Sequence, residues 1–547
     1  MIVTGNQAIA KILKAEGIEW FACFPNHSLI DVAAKEGLRP IICRQERAGV
    51  NMADGFSRIT CGKTIGVFMM QDGPGAENAF GGVAQAYADS VPILLLPGGP
   101  SLSSVGMHPG FDSHRHYHGV TKWSELINQA DRIPQLMRMA FTRLKHGRLA
   151  PVLLEISGDV ARQELSDETF AYTPVKPRKS GGDADDVRDL VTAVLKASCP
   201  IISAGRGILY AEATEELVEF AELTHIPVMT TLQGKSGFPE SHPLSLGTAG
   251  NTGTRMAGHF LRKTDFVLGV ATTLSGGYSP RMPAGITLAQ VTDYADDLNV
   301  HHQVDYGAIG DAKLVLRQMI EEVKRQVGEQ GRGDVNSVVE EVGKVKEEWL
   351  AEWRPLLQSD EVPMNEYRVL TELAKAVDVA NTIATHDAGF PRDRMCPFWP
   401  ALRPNSYIGW GKSTQLGYGL GLALGAKMAA PEKHVINIMG DAAFGMAGMD
   451  IETAVRSEIP ILTVVLNNGI MTHYDKYMPY ASKHWASDKL SGDYAKVAEG
   501  LGAYTETVHT PDELPVAIQR AIAANKEGRP AVLQTMTKGE EIVSRYQ

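Results

Sequence analysis

His434-Val435-Ile436-Asn437-Ile438-Met439-Gly440-Asp441-Ala442-Ala443 is followed, after a helix-length segment, by Ile459-Pro460-Ile461-Leu462-Thr463-Val464-Val465-Leu466-Asn467-Asn468. Each stretch is an apolar run that ends on an oxygen-bearing side chain. Residues 444–457 between them read as a helix, so the unit is strand, helix, parallel strand. A right-handed crossover brings both strand ends to one edge of the sheet. Asp441 and Asn468 at neighbouring strand ends suit a hard divalent cation, and Mg2+ is usually held by one or two such ligands plus substrate phosphates. Gly440 permits a close turn, and the helix start beyond it favours a phosphate. A Gly-Asp turn after a strand is also common where nothing binds, so the rest of the chain must decide.

At 547 residues the chain is too long for one domain and suggests three. Its 44% hydrophobic and 21% charged residues describe an ordinary globular protein. A net charge of −11 without a basic block argues against a nucleic-acid partner. Cys23, Cys43, Cys61, Cys199 and Cys396 are scattered without Cys-x-x-Cys spacing, which suggests reduced thiols and no zinc site. The opening residues carry no signal-peptide pattern and no apolar run reaches membrane-spanning length. The expectation is a cytoplasmic protein without a membrane partner.

Apolar strand-like runs alternate with helix-period segments throughout, which predicts an α/β protein of doubly wound parallel sheets. Three domains separate, over residues 1–172, 187–327 and 362–537. A Pro-, Lys-, Gly- and Asp-rich linker spans 173–186, and the charged stretch 328–352 reads as a solvated linker with a helical end. The first and third domains look alike. Ala86-Tyr87-Ala88-Asp89-Ser90-Val91-Pro92-Ile93-Leu94 parallels Ala454-Val455-Arg456-Ser457-Glu458-Ile459-Pro460-Ile461-Leu462, and Gly147-Arg148 parallels Gly528-Arg529, each before a terminal strand. Two related domains explain this, as does convergence on a generic α/β unit.

In the first domain Arg39-Pro40-Ile41-Ile42-Cys43-Arg44 delivers Gln45-Glu46-Arg47-Ala48 into a helix continuing through Ala53-Asp54-Gly55. Glu46 there is either a helix-start carboxylate interacting with the helix dipole or a site residue. Gln71-Asp72-Gly73-Pro74-Gly75-Ala76-Glu77-Asn78 follows the next strand, and Gly73-Pro74-Gly75 allows close backbone approach to a ligand. With Ala88-Asp89-Ser90-Val91-Pro92, and with Gly440-Asp441-Ala442 separated by 27 residues from Asn468, these motifs resemble the thiamine diphosphate-dependent decarboxylase and carboligase superfamily. The general pattern is closest to its acetolactate synthase group. The resemblance spans the whole chain, in the order pyrimidine-binding, middle and diphosphate-binding domain.

The resemblance implies thiamine diphosphate and Mg2+ as cofactors. Glu46 would hydrogen-bond the aminopyrimidine, a role that suits a poorly solvated carboxyl. Asp441 and Asn468 would bind Mg2+ through their side chains, and Ile470 through its carbonyl. Gly73, Pro74, Asn78, Ala388, Gly389, Gly440, Ala442, Ala443 and Met471 would line the cofactor. Leu416, in Gln415-Leu416-Gly417, matches the apolar residue that bends it, although a lone Leu is otherwise a core residue. The reaction implied passes a 2-oxo acid through an enamine to a carboligated product. A lyase cleaving 2-hydroxy ketones or 2-hydroxyacyl-CoA is the alternative, and a silent regulatory relative is a third reading. Small 2-oxo acids, aldehydes and ketones would be the substrates, in a homodimer or homotetramer with sites at the subunit interfaces.

The residues that set the reaction depart from the common pattern. Phe24-Pro25-Asn26-His27 stands where acetolactate synthases carry Pro-Gly-Gly. His27 is a candidate catalytic and substrate residue able to change charge near neutral pH, or a loop His with a structural hydrogen bond. Gln71 is expected to face the pocket as a carbonyl-polarising group. His108, His114, His116 and His118 lie in a loop that should border the site mouth, with His114 the candidate substrate contact, although such a cluster is also a usual solvated segment. His473 and Tyr474, just past Asn468, are further substrate candidates. In the middle domain Gly205-Arg206-Gly207, Gly250-Asn251-Thr252-Gly253 and the acidic Asp293-Tyr294-Ala295-Asp296-Asp297 admit FAD or another nucleotide without predicting one, because empty doubly wound domains carry similar turns.

Overall fold

The structure is a computed structural model, which describes residues 3–25, 27–165, 170–275, 280–333 and 336–546. Asn26 of the Phe24-Pro25-Asn26-His27 stretch lies outside the described residues. Three six-stranded, wholly parallel sheets follow one another along the chain. The first contains β1 (Trp20–Cys23), β2 (Arg39–Ile42), β3 (Gly66–Met70), β4 (Ile93–Gly99), β5 (Trp123–Ile127) and β6 (Val152–Ser157), in the order 2-1-3-4-6-5. The second contains β7 (Pro200–Ala204), β8 (Val228–Thr230), β9 (Ser245–Thr248), β10 (Phe266–Val270), β11 (Thr287–Thr292) and β12 (Tyr306–Ile309), in the order 9-8-7-10-11-12. The third contains β13 (Thr382–His386), β14 (Tyr407–Ile408), β15 (His434–Gly440), β16 (Leu462–Asn467), β17 (Tyr504–Val508) and β18 (Ala531–Met536), in the order 14-13-15-16-18-17.

Renumbered from its own first strand, the third sheet repeats the order of the first. The sequence parallels fall at equivalent places: Pro92 and Pro460 precede each sheet's fourth strand, and Arg148 and Arg529 precede β6 and β18. The middle sheet has the dinucleotide-fold order instead, with a switch point between β7 and β10. The central strands are apolar on both faces because helices cover both sides. Val67, Phe68, Leu94, Leu95, Val464 and Val465 are all buried.

The first and third domains meet along two helices, α1 (Glu46–Ile59) and α2 (Tyr418–Ala429). Their backbones approach so closely that a Cβ on Gly55 would lie 2.2 Å from the Leu422 carbonyl oxygen, and one on Gly425 2.0 Å from that of Met52. No side chain fits between them. Asp89 ties in the middle domain. Its carboxylate accepts from the Arg58 guanidinium, the Gln233 amide and the backbone N–H groups of Gly411 and Lys412. Such a fully partnered buried carboxylate belongs to domain packing.

Two details differ from the sequence reading. The charged stretch is not a solvated linker. A helix at Asn336–Leu357 buries Val342, Val345, Trp349 and Trp353 against the middle domain, and Trp349 stacks on Phe398 at 4.9 Å. Those four positions recur every three or four residues, a helical stripe masked by the charges around it. The segment after Asp441 is two helical pieces, Asp441–Ala447 and Ile451–Arg456, joined by a single 3-10 turn. Among the described residues no helix is long and apolar enough to cross a membrane.

Candidate active site

The third sheet brings Asp441 and Asn468 to one edge, because β15 and β16 are paired neighbours with Gly440 opposite Leu466. Asp441 Oδ1 accepts from the Ala442 N–H at 2.7 Å and Oδ2 from the Gly469 N–H at 2.8 Å. Each oxygen keeps a free lone-pair direction for a further partner. Burial raises the Asp441 pKa, and the surrounding backbone N–H groups oppose that rise. Asn468 Oδ1 accepts from the Ile470 N–H at 3.0 Å, while its Nδ2 donates to Glu366 and Thr472.

Around this edge the backbone leaves room. A Cβ on Gly389 or Gly440 would meet nothing within 4 Å, and Gly389 needs its φ of +77° for the turn after β13. Ala388 is buried beside it, whereas Ala443 packs into the core, so that only its backbone can face a ligand. Leu416 is half-buried against the same core. Its position is set by Asp387, which the sequence reading did not single out. The buried Asp387 carboxylate accepts from the N–H groups of Ala388, Gly417 and Gly419 at 2.8–2.9 Å and staples the end of β13 to the start of α2. Burial pushes its pKa up to about 6 against those three donors. Beyond Asn468, the Met471 N–H donates to the Asp488 carbonyl at 2.7 Å. His473 lies 5.1 Å from the Phe390 ring and 3.8 Å from a Glu541 oxygen, and Tyr474 is exposed.

The first sheet gathers a second group. Glu46 opens α1, is 4% exposed, and receives no hydrogen bond among the described residues. Gly75 provides the space in front of it: a Cβ there would lie 3.6 Å from Glu46 Oε1 and 3.0 Å from Gln71 Cβ. The Tyr117 hydroxyl donates to the Ala76 carbonyl, and its phenol is raised above the usual range by burial and by the Glu46 charge. Gly98 likewise separates the Asp72 backbone from the His27 ring. Gly73 adopts φ +62° facing open space, and Pro74 starts the next helix. Asn78, expected to line the cofactor, is exposed on that helix beside Phe80.

The structure corrects the charge-switching role expected of His27. Its Nδ1 caps the helix Ser28–Lys35 by accepting from the Leu29 N–H at 3.0 Å, and burial pushes its pKa down to about 4, opposed by the Pro97 and Leu96 carbonyls. With Nδ1 accepting, a neutral ring carries its hydrogen on Nε2, which is buried and has no hydrogen-bond partner among the described residues. Because the folded value lies below the unfolded one near 6.5, folding stability is complete above about pH 6.5 and falls as the pH drops toward 4. His27→Asn keeps the cap and removes the titration. In urea unfolding between pH 6.5 and 4, the wild type should therefore lose up to about 3 kcal/mol more than the variant. Parallel losses would refute the assignment.

The His-rich loop does not gather into one centre. His116 stacks on Phe111 at 4.4 Å, His108 and His118 are exposed, and no cluster of three metal-ligating groups exists among the described residues. His114 alone turns inward, its Nδ1 2.5 Å from Glu155 Oε2. Glu155 interrupts the apolar run of β6, a signal visible in the sequence. It also faces Asp72, whose pKa is raised by burial and then by the Glu155 charge.

No hydrogen bond or ion pair among the described residues joins the Glu46 group to the Asp441 group. A separate cavity of about 350 Å3 opens at the switch point of the middle sheet, lined by Gly205-Arg206-Gly207, Asp293 and Asp297 but not by residues 250–253. Arg206 lies 4.9 Å over the Tyr210 ring there, and its guanidinium finds no hydrogen-bond acceptor among the described residues.

Family models described as the N-terminal TPP binding domain, the central domain and the C-terminal TPP binding domain of thiamine pyrophosphate enzymes match residues 3–122, 187–319 and 387–535. The chain is 29% identical to a "Probable acetolactate synthase large subunit" of Methanococcus aeolicus, over 95% of this chain and 90% of the relative. A protein of the same description from Methanocaldococcus jannaschii is likewise 29% identical, with the same coverage. The "Acetolactate synthase isozyme 3 large subunit" of Escherichia coli K12 is 27% identical over 99% of this chain and 96% of its own length.

Proposed function

The chain belongs to the thiamine pyrophosphate enzyme family as an acetolactate synthase-like member, and on that premise we propose that it joins a 2-oxo acid, after loss of carbon dioxide, to a second carbonyl compound with thiamine diphosphate and Mg2+. When bound, thiamine diphosphate supplies an electron sink at the carbon freed by decarboxylation. The residues present fit it. Glu46 is a buried carboxyl without a hydrogen-bond partner among the described residues, facing the space kept by Gly75. Asp441 and the Asn468 amide oxygen offer the hard oxygen donors that Mg2+ takes, with the Ile470 carbonyl as the third. Gly389 and Gly440 leave open space where the diphosphate would lie.

The observation that carries the reading is this complementary pair of edges, a buried carboxyl on one sheet and a cation-suited pair on its topological twin. Glu46 would hydrogen-bond the aminopyrimidine and hold a proton there, in a site dry enough to favour exchange between carboxyl and ring nitrogen. Neutral His27 would donate from Nε2, and Gln71 would orient a carbonyl by its amide. His114 would keep one tautomer through Glu155, and His473 and Tyr474 would be further substrate contacts. No hydrogen bond or ion pair among the described residues joins the two groups, and we place the complete site between two copies, each giving one edge.

A panel of 2-oxo acids with thiamine diphosphate and Mg2+ tests the reaction, scored for carbon dioxide with and without an acceptor carbonyl. Carbon dioxide release with a coupled 2-hydroxy product is expected. Cleavage of 2-hydroxy ketones without carbon dioxide would replace the synthase by the lyase reading, and inertness toward both classes would refute the proposal.

A further inference from the structure

Asn468 can serve a cation only if its amide oxygen, and not its nitrogen, faces the site. An amide can occupy its place either way round, and its neighbours decide which. Nδ2 is held by two acceptors, Glu366 Oε1 and Thr472 Oγ1, each at 3.2 Å. Thr472 has a hydroxyl that can also donate, so it would tolerate either orientation. Glu366 would not, because a carboxylate is acceptor-only and would repel Oδ1.

Glu366 is itself fixed. It opens the helix Glu366–Ala376, is 2% exposed, and its Oε2 is ion-paired with the fully buried Arg394. Arg394 sits over the Phe390 ring at 4.4 Å and the Tyr367 ring at 5.2 Å and donates to the Glu540 carbonyl. Asn365 next door binds the Glu540 carboxylate at 3.1 Å. Burying an ion pair is weak evidence for stability by itself, since an apolar pair of similar volume often does as well. A buried pair that ends on the amide nitrogen of a metal-ligand candidate calls for a positional explanation.

We propose that Glu366 is a positioning residue for the divalent cation, with Arg394 holding its carboxylate so that the Asn468 amide oxygen faces the metal. The proposal rests on the Asp441–Asn468 metal site. Groups one step behind a ligand typically change metal affinity by about 10- to 100-fold when removed.

Mn2+ titrated into the full-length protein with thiamine diphosphate, and read as free Mn2+ by electron paramagnetic resonance, tests the role without an activity assay. Glu366→Gln should weaken Mn2+ binding by about 10- to 100-fold. In an Asn468→Ala background the same change should have no further effect, because the amide through which it acts is gone. General loosening of the fold would weaken binding equally in both backgrounds and overturn the role, as would unchanged binding in Glu366→Gln alone. Should an unpaired Arg394 prevent folding, Glu366→Gln with Arg394→Met removes both charges and should show the same loss. Asp441→Ala separates the two failures. If it leaves Mn2+ binding unchanged, the metal site falls and the positioning role with it. If it abolishes binding while Glu366→Gln does not, the Glu366 role alone is overturned.

Discussion

Glu46→Gln is expected to lower turnover on the preferred 2-oxo acid by about 10²- to 10⁴-fold, the usual contribution of a positioned acid–base group. Gln has the same shape, so its fit beside Gly75 survives. It can still hydrogen-bond a ring nitrogen but cannot exchange a proton with it. Stability should not suffer, because Glu46 receives no hydrogen bond among the described residues that Gln would forfeit. The urea midpoint should therefore match or exceed that of the wild type. Cofactor retained after desalting should change little, since the metal edge is untouched. Turnover within twofold of wild type would remove Glu46 from the chemistry. Lost turnover with an early unfolding midpoint would instead return it to the helix-start role.

The strands and their parallel order were legible because parallel sheets covered on both sides write themselves as apolar runs ending in polar turns. The likeness of the first and third domains was legible for the same reason: Pro92 and Pro460 enter equivalent strands, and the strand orders repeat. Asp441, Asn468 and Glu46 could be picked out because each follows or precedes such a run at a fixed distance. Glu366 and Arg394 could not, since 102 and 74 residues separate them from Asn468 and neither lies in a motif. The charge state of His27 was also out of reach. It depends on a capping bond and on burial against β4, which only the folded chain supplies. The buried face of the helix Asn336–Leu357 was present as spacing but outvoted by composition.

Asp441→Ala should weaken retention of thiamine diphosphate by at least about 100-fold, the upper end of what even outer-shell groups cost a metal site. Two effects have to be told apart, because the side chain also accepts the Ala442 and Gly469 N–H groups. Leaving such donors without an acceptor costs on the order of 1–3 kcal/mol of stability, which lowers the unfolding midpoint of the cofactor-free protein. Dialysis of the wild type against EDTA removes the cation and leaves those hydrogen bonds in place. It should release the cofactor just as fully, with the cofactor-free midpoint unchanged and binding restored by added Mg2+. Full retention in the variant, or after EDTA, would refute the metal site. The same variant tests where the two edges meet. Co-expressed with Glu46→Gln, each mixed dimer would hold one site with both Glu46 and Asp441 intact and one with neither. Random pairing then restores about a quarter of wild-type activity, since half the dimers carry one working site of two. If both edges served one site within a single chain, every subunit would stay defective and the mixture would be as inactive as its components.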